Sequence, residues 1–334
     1  MIISRTPFRI SFFGGGTDYP AWYRENGGQV LSTSIDKYCY ISVRHLPPFF
    51  EHKYRVVYSR IENVAHYDEI QHPAVRAVLR HLGCEQGLEI HHDGDLPARS
   101  SLGSSSSFTV GLLAAIHALR GEYRSAQQLG AEAIHVEQEL IRENVGSQDQ
   151  IAVAHGGFNH IQFLPGGEIK VRPIILPQAR VSELQQHLLL FFTGLSREAS
   201  TIAKSKIENL HRRKPQLQAL NGHVDQAIRL LGDPDADLTR FGELLHDTWM
   251  QKREISDRVS TGEIDAMYDS ARRAGALGGK LLGAGGGGFL LLFAEPERHG
   301  AVRAALSALT HVPFAFDHEG ARIVLYQPDR VAGQ

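Results

Sequence analysis

The sequence predicts an α+β protein of two domains, with strands and helices grouped rather than alternating as βαβ units. Three observations carry that expectation. The 334 residues correspond to roughly one to three domains of ordinary size. The apolar pattern changes near residues 170–185, from strand-rich to helix-rich, which places the division at 1–175 and 176–334. Three glycine- and serine-rich runs abut apolar segments instead of polar ones, so they read as tight backbone within folded units and not as linkers.

The elements follow in order. Ile2–Phe13 alternates loosely and reads as a strand entering the first run, Gly14-Gly15-Gly16-Thr17-Asp18. Gln29–Val43 is rich in Val, Ile, Thr and Tyr and reads as one or two strands. Leu88–His92 is a short strand before the acidic turn Asp93-Gly94-Asp95. Phe108–Leu119 has helical spacing and follows a serine-rich capping region; Ser125–Leu140 is a second helix with Ser125 as its cap. Gly157–Phe163 and Glu168–Arg172 form a hairpin around Pro165-Gly166-Gly167. His187–Phe192 is a strongly apolar strand. Helices are expected near Arg197–Asn209, Pro215–Leu231, Ala236–Ile255 and Gly262–Ala274. Strands near Phe289–Phe293 and Arg322–Tyr326 flank a helix around Pro296–Leu309.

Composition excludes several classes. Lys and Arg number 35 against 37 Asp and Glu, so the chain has no general affinity for a polyanion and no nucleic-acid partner is expected. Cys39 and Cys84 cannot build a disulfide framework and fit a reducing compartment. The first residues carry no long apolar segment, and no stretch approaches the ~20 apolar residues that span a bilayer. The expectation is a cytoplasmic protein without a membrane partner, with a homodimer as one arrangement the sequence allows. The 18 histidines are scattered and show no zinc-ligand spacing.

The second run, Ser101-Leu102-Gly103-Ser104-Ser105-Ser106-Ser107, precedes an apolar helix. Small residues let backbone curl around a ligand, and the helix start offers free N–H groups and a positive dipole end. Alone, the run fits either a phosphate cradle or a serine-rich cap. It is not a Walker A loop, since Lys280 is followed by Leu281 and no Gly-x4-Gly-Lys-Ser/Thr occurs; the first run is not a dinucleotide fingerprint, and the protein-kinase signatures are missing. Glu137 and Asp149 would complete a phosphoryl-transfer site, one for a metal and one for the acceptor hydroxyl. Spacing alone does not single these two out of 37 acidic residues.

The three runs together, in order and spacing, resemble the GHMP kinases over nearly the whole chain. Thr6 to Asp18 resembles that family's first motif, Pro97 to Ser106 its nucleotide loop, and Gly279 to Gly288 its third motif. The resemblance implies the GHMP kinase fold: an N-terminal domain like ribosomal protein S5 domain 2, a C-terminal ferredoxin-like domain, and a site between them. It implies ATP and Mg2+ as cofactors. Ser105 and Glu137 would ligand the metal. Ser101, Leu102, Gly103, Ser104, Ser105 and Ser106 would contact ATP through backbone or hydroxyl. Asp149 would be the catalytic carboxylate, with Arg9 paired to it. Gly15, Gly16, Thr17 and Asp18 would line the acceptor pocket.

The chain departs from the family at Arg99 and Ser101, where glycine is common, at Ser106, where alanine is usual, and at Gly15-Gly16, where galactokinases carry Glu-His. The last change argues against galactose. Further stretches, among them Ser34 to Tyr38, Val145 to Gln150 and Phe192 to Ser200, are similar to the heptose-kinase branch, so the expected partner is a small-molecule sugar phosphate. Its distant phosphate would need a cation. Arg197, beside Ser196, is the candidate, with Lys37, Arg99 and Lys204 behind it and a solvated charge as the alternative for each. A kinase for another free sugar, such as fucose, a non-catalytic sugar sensor and an ATP-dependent decarboxylase relative remain as other readings of the same scaffold. Tyr19, Trp22 and Tyr23 fit either the sugar pocket or the core.

Overall fold

The alternation from Ile2 onward produces strand β1 (Ile2–Phe13), and after helix α1 (Pro20–Asn26), started by its proline, the Val- and Tyr-rich segment forms one continuous strand of 18 residues, β2 (Gly28–His45). The computed structural model describes residues 1–47, 49–97, 101–195, 203, 207 and 210–328. The order continues with β3 (Tyr54–Val57), β4 (Ile61–Val64), α2 (Pro73–His81), β5 (Leu88–Gly94), α3 (Ser104–Leu119) and α4 (Ala126–His135). Helix α4 runs into a π turn at Val136–Leu140, followed by α5 (Gln148–His155), β6 (Phe158–Phe163) and β7 (Ile169–Pro173). The second half contains α6 (Gln178–Gln186), β8 (Leu188–Phe192), α7 (Lys214–Gly232), α8 (Thr239–Ile255), α9 (Gly262–Arg273), β9 (Gly278–Leu281) and β10 (Phe289–Phe293). It ends with α10 (His299–Ala305), β11 (Thr310–His311), β12 (Phe316–Asp317) and β13 (Arg322–Tyr326).

The length of β2 organises the first sheet. One edge of β2 pairs antiparallel with β1. The other edge is filled end to end by β6, β12 and β5, opposite residues 28–33, 34–35 and 39–45 respectively. β3 joins β5 in parallel, β4 follows β3, and β13 closes on β1. The second sheet is antiparallel in the order β11-β8-β10-β9. Residues 316–326 therefore return to the first sheet, although they follow the helix-rich half of the chain.

Other expectations shift locally. The helix expected over Ser125–Leu140 changes at His135 into the π turn, which carries Glu137. The segment expected as one helix over Pro296–Leu309 is a 3-10 turn, Pro296–Arg298, and the short α10. Most of the segment Arg197–Asn209 lies outside the described residues.

Helix α3 is apolar on nearly every side because it is enclosed, by β1 and β2 on one side and by α2, α4 and α5 around it. The two halves share a core rather than touching at a surface. Phe241 of α8 meets Phe13 at 5.0 Å and Phe12 at 5.6 Å between ring centroids, and Phe293 of β10 at 6.0 Å. Lys280 in β9 adds a polar tie: its buried ammonium donates to the carbonyls of Ser11 (2.9 Å) and Phe12 (2.8 Å) in β1. Among the described residues, no helix is long and apolar enough to cross a membrane.

Lys280→Met keeps the aliphatic stem and leaves two buried carbonyls short of a donor. We expect it to cost about 2–3 kcal/mol, read as a lower urea midpoint at unchanged slope. An unchanged midpoint would show that the tie contributes nothing.

Candidate active site

The site is assembled around Arg9, on β1, whose side chain is 2% exposed. A buried guanidinium requires matched acceptors. Arg9 finds them in Asp149, with Nε to Oδ1 and Nη2 to Oδ2 both at 2.8 Å, and in the carbonyl of Ser101 at 3.1 Å. Its own N–H donates to the carbonyl of Leu102 at 3.0 Å. One side chain thus ties the first strand to the serine loop and to the first turn of α5. Asp149 keeps 27% of its side chain exposed, so a carboxylate gripped on one side is open on the other.

Helix α5 has no side-chain cap from its own N-cap residue, Ser147. Asp18 supplies the missing acceptor from a distance. Its buried carboxylate accepts the N–H of Gly16 at 2.9 Å and interacts with the N–H groups of Asp18 and Gln148. Burial pushes this carboxyl up from its ordinary value; the Gly16 N–H opposes that, and the charge of Asp149 adds to it. The chain at Gly146 runs so close that a Cβ there would sit 1.8 Å from Asp18 Oδ2. Asp18 therefore braces the turn that carries Asp149. Thr17 is equally occupied: its hydroxyl donates to the carbonyls of Gly14 (2.8 Å) and Gln29 (3.0 Å) and is fully buried. Gly16 is buried, while Gly15 is partly open.

The second run begins at Ser101 with φ of +67°, an unfavourable value for serine. The third run presses on it. Ser101 Oγ donates to the carbonyl of Gly287 at 3.2 Å, and a Cβ at Gly283 would lie 2.7 Å from that of Ser101. Lys252 holds the third run by donating to the carbonyls of Leu281 (2.7 Å) and Gly283 (2.8 Å). Gly103, with φ of +77°, is the N-cap of α3 and has no side chain to cap it, so the 16-residue helix starts with its first amides free of a side-chain acceptor. Leu102 is buried in the core and its carbonyl accepts the N–H of Arg9. Ser104 is half-buried.

Glu137 reaches the same helix. The sequence pairs it with Ser105, but the structure sets Ser106 against it, with Ser106 Oγ donating to Glu137 Oε2 at 3.0 Å, while Ser105 faces solvent. Gln150, next to Asp149, donates to the same oxygen. Burial pushes the Glu137 carboxyl up to about 7, against the neighbouring Thr109 and Ser106 hydroxyls and Gln150 amide, which pull it down. Its other oxygen, Oε1, is buried without a hydrogen-bond partner among the described residues. A carboxylate oxygen left open beside serine hydroxyls fits a hard divalent cation. No cluster of three or more His, Cys, Asp or Glu suited to a metal occurs among the described residues, so such an ion would complete its shell from phosphate and water.

Arg197, Ser196, Arg99 and Lys204 lie outside the described residues. Lys37 is paired with Asp36 at 3.0 Å. Tyr19, Trp22 and Tyr23 belong to a buried apolar cluster with Phe163 and Leu217, which favours packing for all three. Gln138, Gln150 and Lys252 were not picked out from the sequence. Gln138 fixes the approach to α5 by donating to the carbonyl of Val145 and to Ser147 Oγ, both at 3.1 Å.

The raised proton affinity of Glu137 makes stability depend on pH. Between the ordinary value of 4.5 and about 7 the unfolded chain has lost this proton and the native protein keeps it. The native state then binds more protons, so stability falls as pH rises through this window and levels off above it. The difference amounts to about 3 kcal/mol. Glu137→Gln should remove that decline and denature at a higher urea midpoint than the parent at pH 8. Parallel pH profiles for the two proteins would contradict the assignment.

Comparison with known proteins adds the family. Residues 69–157 match the GHMP kinases N terminal domain and residues 225–311 match GHMP kinases C terminal. The D-glycero-alpha-D-manno-heptose 7-phosphate kinase of Campylobacter jejuni is 29% identical over 96% of this chain and 98% of that protein. A galactokinase of Thermococcus kodakarensis is 27% identical over 87% of this chain and 88% of its own. The crystal structure of a D-glycero-D-manno-heptose 1-phosphate kinase from Bacteriodes thetaiotaomicron superposes with a TM-score of 0.79 at 22% identity, over 97% of this chain and 98% of that one, which shows a shared fold. With both characteristic domains in place on that fold, the chain belongs to the GHMP kinase family.

Proposed function

We propose that this GHMP kinase, an ATP-dependent sugar kinase, phosphorylates the anomeric hydroxyl of D-glycero-D-manno-heptose 7-phosphate to give the 1,7-bisphosphate. The observation that carries the chemistry is the two-pronged Arg9–Asp149 pair set beside the uncapped start of α3. The acceptor reading rests on the full-length likeness to the Campylobacter jejuni protein of that name. Such a product would feed nucleotide-activated heptose for bacterial surface polysaccharide, a cytoplasmic step.

Each residue has a defined task in this reading. The first amides of α3 and the serine hydroxyls around Ser104 receive the nucleotide phosphates. Asp149 accepts the proton of the attacking hydroxyl from its open side. Arg9 fixes the carboxylate in orientation and places positive charge next to the reacting groups. Glu137, with a serine hydroxyl of the 104–106 stretch, would hold magnesium, which when bound neutralises charge on the transferred phosphoryl group. The open space at Gly15, where galactokinases have a long side chain, suits a differently shaped sugar.

The test is ADP release with magnesium-ATP and the heptose 7-phosphate, with the position of the new phosphate read by NMR. A 1,7-bisphosphate is expected; turnover confined to unphosphorylated sugars would remove the proposed acceptor. Asp149→Asn should lower kcat by roughly 10²–10⁴-fold with ATP affinity nearly intact. Loss of nucleotide binding at preserved turnover would sink the role given to Asp149.

A further inference from the structure

Two buried polar atoms at this site have no hydrogen-bond partner among the described residues: Ser11 Oγ and Gln148 Oε1. Native interiors rarely leave such groups unpaired, so two at one place call for an occupant. The side chains that carry them border the same space. A Cβ built on Gly15 would lie 3.6 Å from Gln148 Nε2 and 3.8 Å from Ser11 Oγ. Glycine at position 15 keeps that space empty of protein.

The space adjoins the reacting centre. Ser11 follows Arg9 by two residues on β1, so both side chains point to one face of the strand. Gln148 precedes Asp149 in the first turn of α5. Both backbones are anchored: the carbonyl of Ser11 accepts from Lys280 and the N–H of Gln148 interacts with Asp18. The two side chains are therefore held in place before any ligand arrives.

The chemistry selects the occupant. A serine hydroxyl donates or accepts, and the Gln148 amide oxygen accepts. Among the described residues, the two cations at this end of β1 are engaged, Arg9 by Asp149 and the Ser101 carbonyl and Lys280 by the carbonyls of Ser11 and Phe12. This surrounding suits a neutral hydroxyl, which can donate to Gln148 and accept from Ser11, and not a phosphate. We propose that Ser11 and Gln148 determine acceptor specificity by binding the sugar hydroxyl adjacent to the one that is phosphorylated. The proposal rests on the sugar-kinase reading above and assigns the acceptor's distant phosphate to a different part of the site.

Steady-state kinetics of Ser11→Ala and Gln148→Met test it. Each variant should raise the acceptor KM about tenfold, the equivalent of one lost hydrogen bond, and change the ATP KM by less than twofold. With the 2-deoxy acceptor the parent should lose affinity and Ser11→Ala should lose no more, because the partner hydroxyl is already gone. Ser11→Ala should also keep or raise the thermal midpoint of the sugar-free protein, since it removes an unpaired buried hydroxyl; a purely structural serine would lower it. Unchanged acceptor KM, equal effects on both substrates, or an undiminished penalty on the deoxy sugar would each overturn the proposal. An enzyme that uses a free sugar in place of the heptose phosphate would overturn only the acceptor assignment, and the pair is then judged by the same criteria on that sugar. No turnover with any sugar overturns both.

Discussion

The buried Arg9 guanidinium is the constraint on which the site depends. A charge this far from water is tolerated only when acceptors meet it in the right plane. Asp149 and the Ser101 carbonyl do so, from two segments far from β1 in sequence. Meeting that demand brings α5 and the serine loop to the same strand. The consequence spreads outward: α5 must start against β1, so its first amides need an acceptor there, and Asp18 provides one.

The glycine runs solve the complementary problem of distance. The third run approaches the serine loop to within contact of its backbone, which a side chain at Gly283 would prevent. Such close backbone carries polar groups that water cannot reach. Two buried lysines, Lys252 and Lys280, answer this by donating to carbonyls of the third run and of β1. Their charges serve the architecture, and in the proposed reading the ligand-facing groups come from β1, α3 and α5.

Much of this was legible in the sequence because it is local. β1, β10 and the β6–β7 hairpin follow from apolar patterning and turn residues, and Arg9 and Asp149 came from motif resemblance. What was hidden depends on partners far along the chain. Helix α5 has eight residues and takes its capping carboxylate from Asp18, 130 positions earlier, rather than from the adjacent Ser147. The π turn at Glu137 looks like continued helix in a 3.6-residue pattern. In four consecutive serines the helical phase cannot be read from residue type, and a helix that starts at Ser104 turns Ser106 rather than Ser105 toward Glu137. The return of β12 and β13 to the first sheet depends on edges of β1 and β2 that only the assembled sheet presents.

Three carboxylates crowd this site, and their surroundings divide the work among them. Asp149 alone has both a cationic partner and an open face, which suits a group that must meet an incoming hydroxyl. Asp18 is buried against backbone amides, which suits a brace. Glu137 is buried among hydroxyls and an amide, retains a high proton affinity and keeps one oxygen unpaired. Among the described residues no cationic side chain acts on it, so a proton and a bound divalent cation would compete for the same oxygen. A site built this way would favour the cation as pH rises and the proton as pH falls; in the proposed reading, phosphate neutralisation would then be controlled by a residue separate from the one that faces the acceptor hydroxyl.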